Sequence, residues 1–156
     1  IYPAHWEVVT GPRAPLSQYY NEVFDRNLDW YGLFADDVVP ETPGWDVLLI
    51  EAAGSDGVAY GNDGIGTRPT HFVVGGYLAR EIGWLALPGL ARTYIDTVWY
   101  DIATERNVLR FLPNVRIPHL HFSNRLALFD RTYRKFIKDQ DRALYQAWRN
   151  RGGRVL

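Results

Sequence analysis

The chain has no cysteine and no methionine, and its 17 basic and 18 acidic residues nearly cancel, leaving a formal charge of -1 over 156 residues. Each absence excludes something. Without cysteine there can be no disulfide and no thiolate metal site, which agrees with a cytoplasmic setting. Without a basic excess, the phosphate backbone of a nucleic acid finds no electrostatic partner, so nucleic-acid binding is set aside. No run reaches the roughly 18 consecutive apolar residues of a membrane helix, and no basic-then-apolar leader opens the sequence, so no membrane span is expected. Ile1 is not an initiating methionine, and a piece of a longer polypeptide is expected.

What is present is apolar and aromatic: 47% and 15% of the residues, enough for one core and one domain spanning 1–156. Glycine and proline divide the chain into short elements of both kinds, which reads as α/β. Leu16, Tyr19, Tyr20, Val23 and Phe24 recur at helical spacing and predict a helix over 15–26. Trp30 to Ala35 is apolar on both alternating sets, as in a buried strand, and stops at Asp36-Asp37. Thr42 and Pro43 suit a helix start, Trp45, Leu48, Leu49, Ala52 and Ala53 its buried stripe, and Gly54 its end. Short strands are expected at Val58–Tyr60 and His71–Val74, either side of a Gly-rich loop from Gly61 to Pro69. Gly75-Gly76 lead into a short helix with Arg80 and Glu81, and Ile95, Val98, Trp99 and Ile102 mark a helix opening near Asp96. Two further strands are expected at Val108–Leu112 and Val115–Leu120, then a helical C-terminal segment over about 126–151.

Ligands of open α/β sheets gather beyond the carboxyl ends of strands, so Asp36 and Asp37 stand where chemistry is expected. Adjacent carboxylates repel, and Mg²⁺ or Mn²⁺ bridging to phosphates would offset that repulsion; a turn or a helix cap is the competing reading. His119 and His121 are two apart and on a strand would face one side, as paired ligands do, with a packing or surface role as the alternative. Trp45, Trp84 and Trp99 offer apolar faces for a sugar ring, although core packing is the default for any one of them. Arg80 is a candidate for binding diphosphate, against a solvated helix face. The loop with Asn62 and Asp63 lacks the spacing of a nucleotide-binding fingerprint. It is expected to be a flexible lid over the sugar, with Asp63 a candidate substrate contact.

The segment YGLFADDVVPETPGWDVLL resembles the acidic-motif region of family 2 glycosyltransferases with the GT-A fold. GPRAPLSQYYNEVF resembles the helix before it, VVGGYLAREIGWLALPGLARTYIDTVWYDIA the acceptor-side segment, and LPNVRIPHLHFSN the closing segment with its histidines. Together these cover most of the chain in the family's order, and the likeness is to the small bacterial and phage enzymes. The resemblance implies a mixed, mostly parallel sheet flanked by helices, without the N-terminal strands that hold the nucleotide base. It places Asp36 and Asp37 at the Asp-x-Asp metal motif, with Val38 where a third acidic residue often stands. Pro118 replaces the acidic residue that usually precedes the first histidine. Asp96 falls at the catalytic base, and an N-cap is its other reading.

The implied activity is transfer of a sugar from a nucleotide-sugar donor to an acceptor hydroxyl of a glycan or other molecule. Mn²⁺ or Mg²⁺ would sit on Asp36 and Asp37, with His119 and His121 as further candidate ligands, and Asp96 would activate the acceptor. The rivals are a noncatalytic carbohydrate-binding or assembly module and, ranked lower, a metal-dependent hydrolase. Missing strands would leave a sheet edge exposed, so a homodimer is expected to cover it.

Overall fold

The computed structural model describes residues 10–24, 27–66, 68–121, 125–126 and 138–153. Among the described residues it is an α/β structure with one four-stranded mixed sheet and helices on both faces. In chain order the elements are α1 (Leu16–Glu22), β1 (Trp30–Leu33), α2 (Trp45–Ala53), β2 (Val58–Asn62), β3 (Phe72–Gly75), α3 (Gly76–Ile82), α4 (Ile95–Glu105), β4 (Leu109–Arg116) and α5 (Lys138–Asn150). The expected terminal helix is found over its second half; most of 126–137 lies outside the described residues. No helix among the described residues is long and apolar enough to cross a membrane.

Strand order is β1-β3-β2-β4, with β3 antiparallel to both neighbours and β2 parallel to β4. β1, β2 and β4 therefore run in one direction and β3 alone is reversed. This corrects the expectation of a mostly parallel sheet: the reversed strand lies between β1 and β2, so two of the three pairings are antiparallel. One consequence matters for function. The carboxyl ends of β1, β2 and β4 and the amino end of β3 all meet at one edge of the sheet, where loops can combine side chains from four places in the sequence.

Alternation along the strands sorts the core into two layers. Val58, Tyr60, Phe72 and Val74 face a large cluster with Trp99, Val98 and Ile102 of α4 and Trp148 of α5. Ala59 and Val73 face the other way, onto Leu49 and Ala53 of α2 with Val115 and Ile117. β1 is an edge strand whose residues alternate between exposed and buried, rather than being buried on both faces. The helix expected from Thr42 begins later, behind Gly44. Thr42 is drawn away from the cap because its hydroxyl accepts the Arg116 N–H at 2.8 Å. The two strands expected between residues 108 and 120 are one strand, β4, with a bulge at Pro113–Val115 where the register jumps from Gly61↔Leu112 to Asn62↔Arg116. Proline cannot donate to a ladder, and a bulge on an edge strand is a place that tolerates it.

The junction of β3 and α3 needs its two glycines for a spatial reason. A Cβ on Gly75 would lie 2.3 Å from the Ser55 carbonyl, and one on Gly76 would lie 2.2 Å from the Leu28 oxygen. Gly76 N–H donates to the Asp29 carbonyl at 2.6 Å, so the backbones touch there without side chains between them.

Candidate functional site

Beyond Leu33 the chain leaves β1 and turns at Asp36-Asp37 before forming an isolated antiparallel bridge between Val38 and His119. The segment after β4 is threaded between two others by backbone bonds. Ile117 N–H donates to Asn62 and His119 N–H to Asp63, while Val39 N–H donates to Pro118 and Leu120 N–H to Asp37. These bonds carry His119 to the carboxyl ends of β1 and β2. Its Nε2 lies 3.1 Å from Oδ2 of Asp37.

His71, the residue before β3, completes a cluster. Asp37, His71 and His119 each offer a ligand atom, and these atoms all lie within 4.8 Å of one another. His71 is 6% exposed, its ring stacked on Phe34 and set edge-on to His119, with centroids 6.1 and 4.6 Å away. Burial, with the His119 imidazole beside it, lowers its pKa to about 4 against the weaker opposing pull of Asp37 and Asp63. Nε2 of His71 and Oδ1 of Asp37 are buried and have no hydrogen-bond partner among the described residues.

Asp37, His71, His119 and His121 line a cavity of about 390 Å³ together with Asp96. Tyr20, Phe34 and Tyr94 supply its aromatic walls, and Arg92 reaches its rim. Asp96 is the second residue of α4, so the cap position belongs to Tyr94, which corrects the N-cap reading. Its Oδ1 accepts the Thr97 N–H at 2.8 Å and the Thr97 hydroxyl at 3.3 Å. Burial pushes its pKa up, against those bonds and the charge of Arg68.

The other expected site residues are placed elsewhere. Asp36 is exposed and lines a neighbouring cavity with Arg13, Tyr19 and Arg92, so the two adjacent aspartates serve different spaces. Trp99 is fully buried and donates its indole N–H to the Leu85 carbonyl at 2.7 Å; packing, not sugar contact, is its role. Trp84 is buried against it. Trp45 packs edge-on against Phe34 and is outside the cavity wall. Arg80 donates to the Leu28 carbonyl at 3.0 Å, far in the fold from the cluster, at the start of β1. Asp63 is 4% exposed, and its carboxylate accepts from Ile65 N–H, Gly66 N–H and the Thr70 hydroxyl. It builds the Gly-rich loop from inside, where a substrate cannot reach both oxygens.

His71 was the residue missed by sequence reading. Its signal is the only polar side chain opening an otherwise apolar run, His71-Phe72-Val73-Val74, a pattern equally expected of a strand end. No family model, curated protein or solved structure matches the chain.

Proposed function

We propose that the chain carries out metal-dependent transfer of a sugar from a nucleotide-sugar donor to an acceptor hydroxyl, in the manner implied by its resemblance to GT-A glycosyltransferases. The observation that carries this reading is that Asp37, His119 and Asp96, drawn from three separate stretches of sequence, line one cavity. The cluster fits a divalent cation. It combines a carboxylate oxygen with imidazole nitrogen, and a buried Asp37 oxygen lacks any partner among the described residues. Asp37 and His119 would hold Mn²⁺ or Mg²⁺, with His121 beside them, and the ion would neutralise charge on the departing diphosphate.

Asp96 takes the acceptor's proton as the hydroxyl oxygen bonds to the anomeric carbon and the bond to the nucleoside diphosphate breaks. Its Oδ1 is committed to Thr97, which fixes the carboxylate, and Oδ2 is the oxygen assigned to the acceptor. A carboxylate whose pKa is raised holds a proton more strongly, which favours general-base action as long as it is ionised at the working pH. Aromatic rings of Tyr20, Phe34 and Tyr94 cover the apolar faces of the sugar, the part expected of tryptophan.

The test is a panel of nucleotide sugars with Mn²⁺, measuring nucleoside diphosphate release with and without glycan acceptors. Acceptor-stimulated release supports transfer. Binding without release identifies a noncatalytic carbohydrate-binding module instead, and release of phosphate from simple esters identifies a hydrolase.

A further inference from the structure

His71 has no part in the chemistry above, yet it lies inside the same cluster and is 6% exposed. Its hydrogen bonding defines what it can do. Nδ1 accepts the Ala35 N–H at 3.5 Å. A ring nitrogen that accepts an N–H presents a lone pair and carries no proton, so the neutral imidazole bears its proton on Nε2. That Nε2 is the buried atom with no partner among the described residues. Nε2–H is a donor, and a nitrogen in that state cannot ligate a cation. Ligation would require the proton to move to Nδ1, where it would face the Ala35 N–H.

The Thr70 hydroxyl, on the residue before His71 in the same cavity wall, is already engaged, donating to Asp63 at 2.6 Å. A buried donor left unmet is costly, and an oxygen arriving with a ligand removes that cost. Being neutral, the ring can stand beside a cation without repelling it.

We infer that His71 is a fixed hydrogen-bond donor to a phosphoryl oxygen of the ligand held at Asp37 and His119, and is not itself a ligand of the cation. The inference rests on reading the cluster as a site for a metal-bound diphosphate. Phenylalanine at this position keeps the stack on Phe34 and removes the donor; glutamine keeps an N–H.

Long-range proton–nitrogen NMR of the wild-type imidazoles, free and with Mg²⁺ and pyrophosphate, tests the tautomer directly. Mn²⁺ titrations, and pyrophosphate titrations at saturating Mn²⁺, compare wild type with His71→Phe and His71→Gln. The expected result is an Nε2–H tautomer whose proton moves downfield with pyrophosphate. In His71→Phe pyrophosphate affinity falls about tenfold or more, Gln restores part of it, and Mn²⁺ affinity stays within about twofold. An Nδ1–H tautomer overturns the inference, as does a loss of Mn²⁺ binding in the Phe variant, or pyrophosphate affinity equal in all three proteins. Should the Phe variant fail to fold, the wild-type spectra still decide. No measurement here uses sugar turnover, so the transfer reading can fail while the donor assignment stands, and the reverse.

Discussion

Asp37 Oδ2 and His119 Nε2 stand 3.1 Å apart although 82 positions separate them in sequence. Their meeting is the work of the backbone: His119 is fixed by N–H donation to Asp63 and by its bridge to Val38, immediately after Asp37. The loop after β1 and the segment after β4 are thereby laced together at the sheet edge. A cation bound between them would displace the proton that this contact shares, while the backbone bonds would keep both side chains in place.

The two adjacent aspartates should differ sharply. Asp37→Asn removes the charge within the cluster and should weaken Mn²⁺ binding by about 10- to 100-fold, whereas Asp36→Asn should leave it within about twofold. Titration calorimetry on both variants checks this. Equal losses would mean that the pair acts as one motif and that the separation into two cavities has no bearing on metal binding.

Asp96→Asn should cut turnover by about 100-fold or more while donor affinity is retained. Stability should move the other way. Burial raises the folded-state pKa of Asp96 above its unfolded value, so the ionised form is disfavoured by folding. Its contribution to stability is fully present below the unfolded pKa and is lost as pH rises through the raised one. At neutral pH a neutral amide avoids that cost, and Asp96→Asn should melt at a higher temperature than wild type. Turnover of the wild-type chain should decline on the acid side at a pH above the ordinary aspartate range. A variant both inactive and less stable would assign Asp96 to the fold alone.

Much of this was legible in the sequence, and the misses have physical causes. The apolar run from Trp30 ending at Asp36-Asp37 located both a strand and the end at which Asp37 meets two histidines, because a strand's carboxyl end is a place and not a contact. The helical stripe of Ile95, Val98, Trp99 and Ile102 located α4 and its opening near Asp96, although Tyr94 and not Asp96 takes the cap position. Which of two neighbouring aspartates faces the cluster was not legible, since that depends on a turn whose direction is fixed by the bridge from Val38 to His119. Trp99 looked available to a sugar because amphipathic spacing tells that a residue faces the core but not whether a cavity opens there. His71 acquires its environment from Phe34 and His119, both distant in sequence, and no local pattern announces that.

Gly76→Ala tests the close approach at the start of α3. The added Cβ would lie 2.2 Å from the Leu28 oxygen and within 2.9 Å of Asp29 backbone atoms, none of which is the free end of a flexible side chain. Backbone must move, and overpacking of this kind costs about 1–3 kcal/mol or more. Chemical denaturation should show a lower midpoint with unchanged slope. By contrast Gly64→Ala, where nothing lies within 4 Å but φ is +77°, should lose only about 1 kcal/mol from backbone strain.

Asp141 of α5 ties the C-terminal helix to the cavity, and its loss should be felt at both. It is 1% exposed, and its carboxylate accepts four hydrogen bonds from the loop before α4. Oδ1 takes the Ala91 N–H at 2.8 Å, and Oδ2 takes the Arg92 N–H at 3.0 Å, the Thr93 N–H at 2.7 Å and the Thr93 hydroxyl at 2.9 Å. That loop continues into Tyr94, held at a φ of 69° and stacked on Tyr145 of the same helix, and then into Asp96. Burial alone would raise the Asp141 pKa, but the bonds from Ala91, Thr93 and Arg92 outweigh it and hold it below the ordinary value. A depressed folded-state pKa contributes stability that is present above the unfolded pKa and is lost as pH falls through the depressed one. Acid unfolding should therefore be less steep in an Asp141→Asn variant. Asp141→Ala leaves three part-buried N–H groups and a hydroxyl without their acceptor and should cost about 3 kcal/mol, read from thermal or denaturant unfolding at neutral pH. Because the loop it holds lines the cavity, the same variant should raise KM for the acceptor more than it changes Mn²⁺ affinity. An unchanged unfolding midpoint would show that the loop before α4 stands without its clamp.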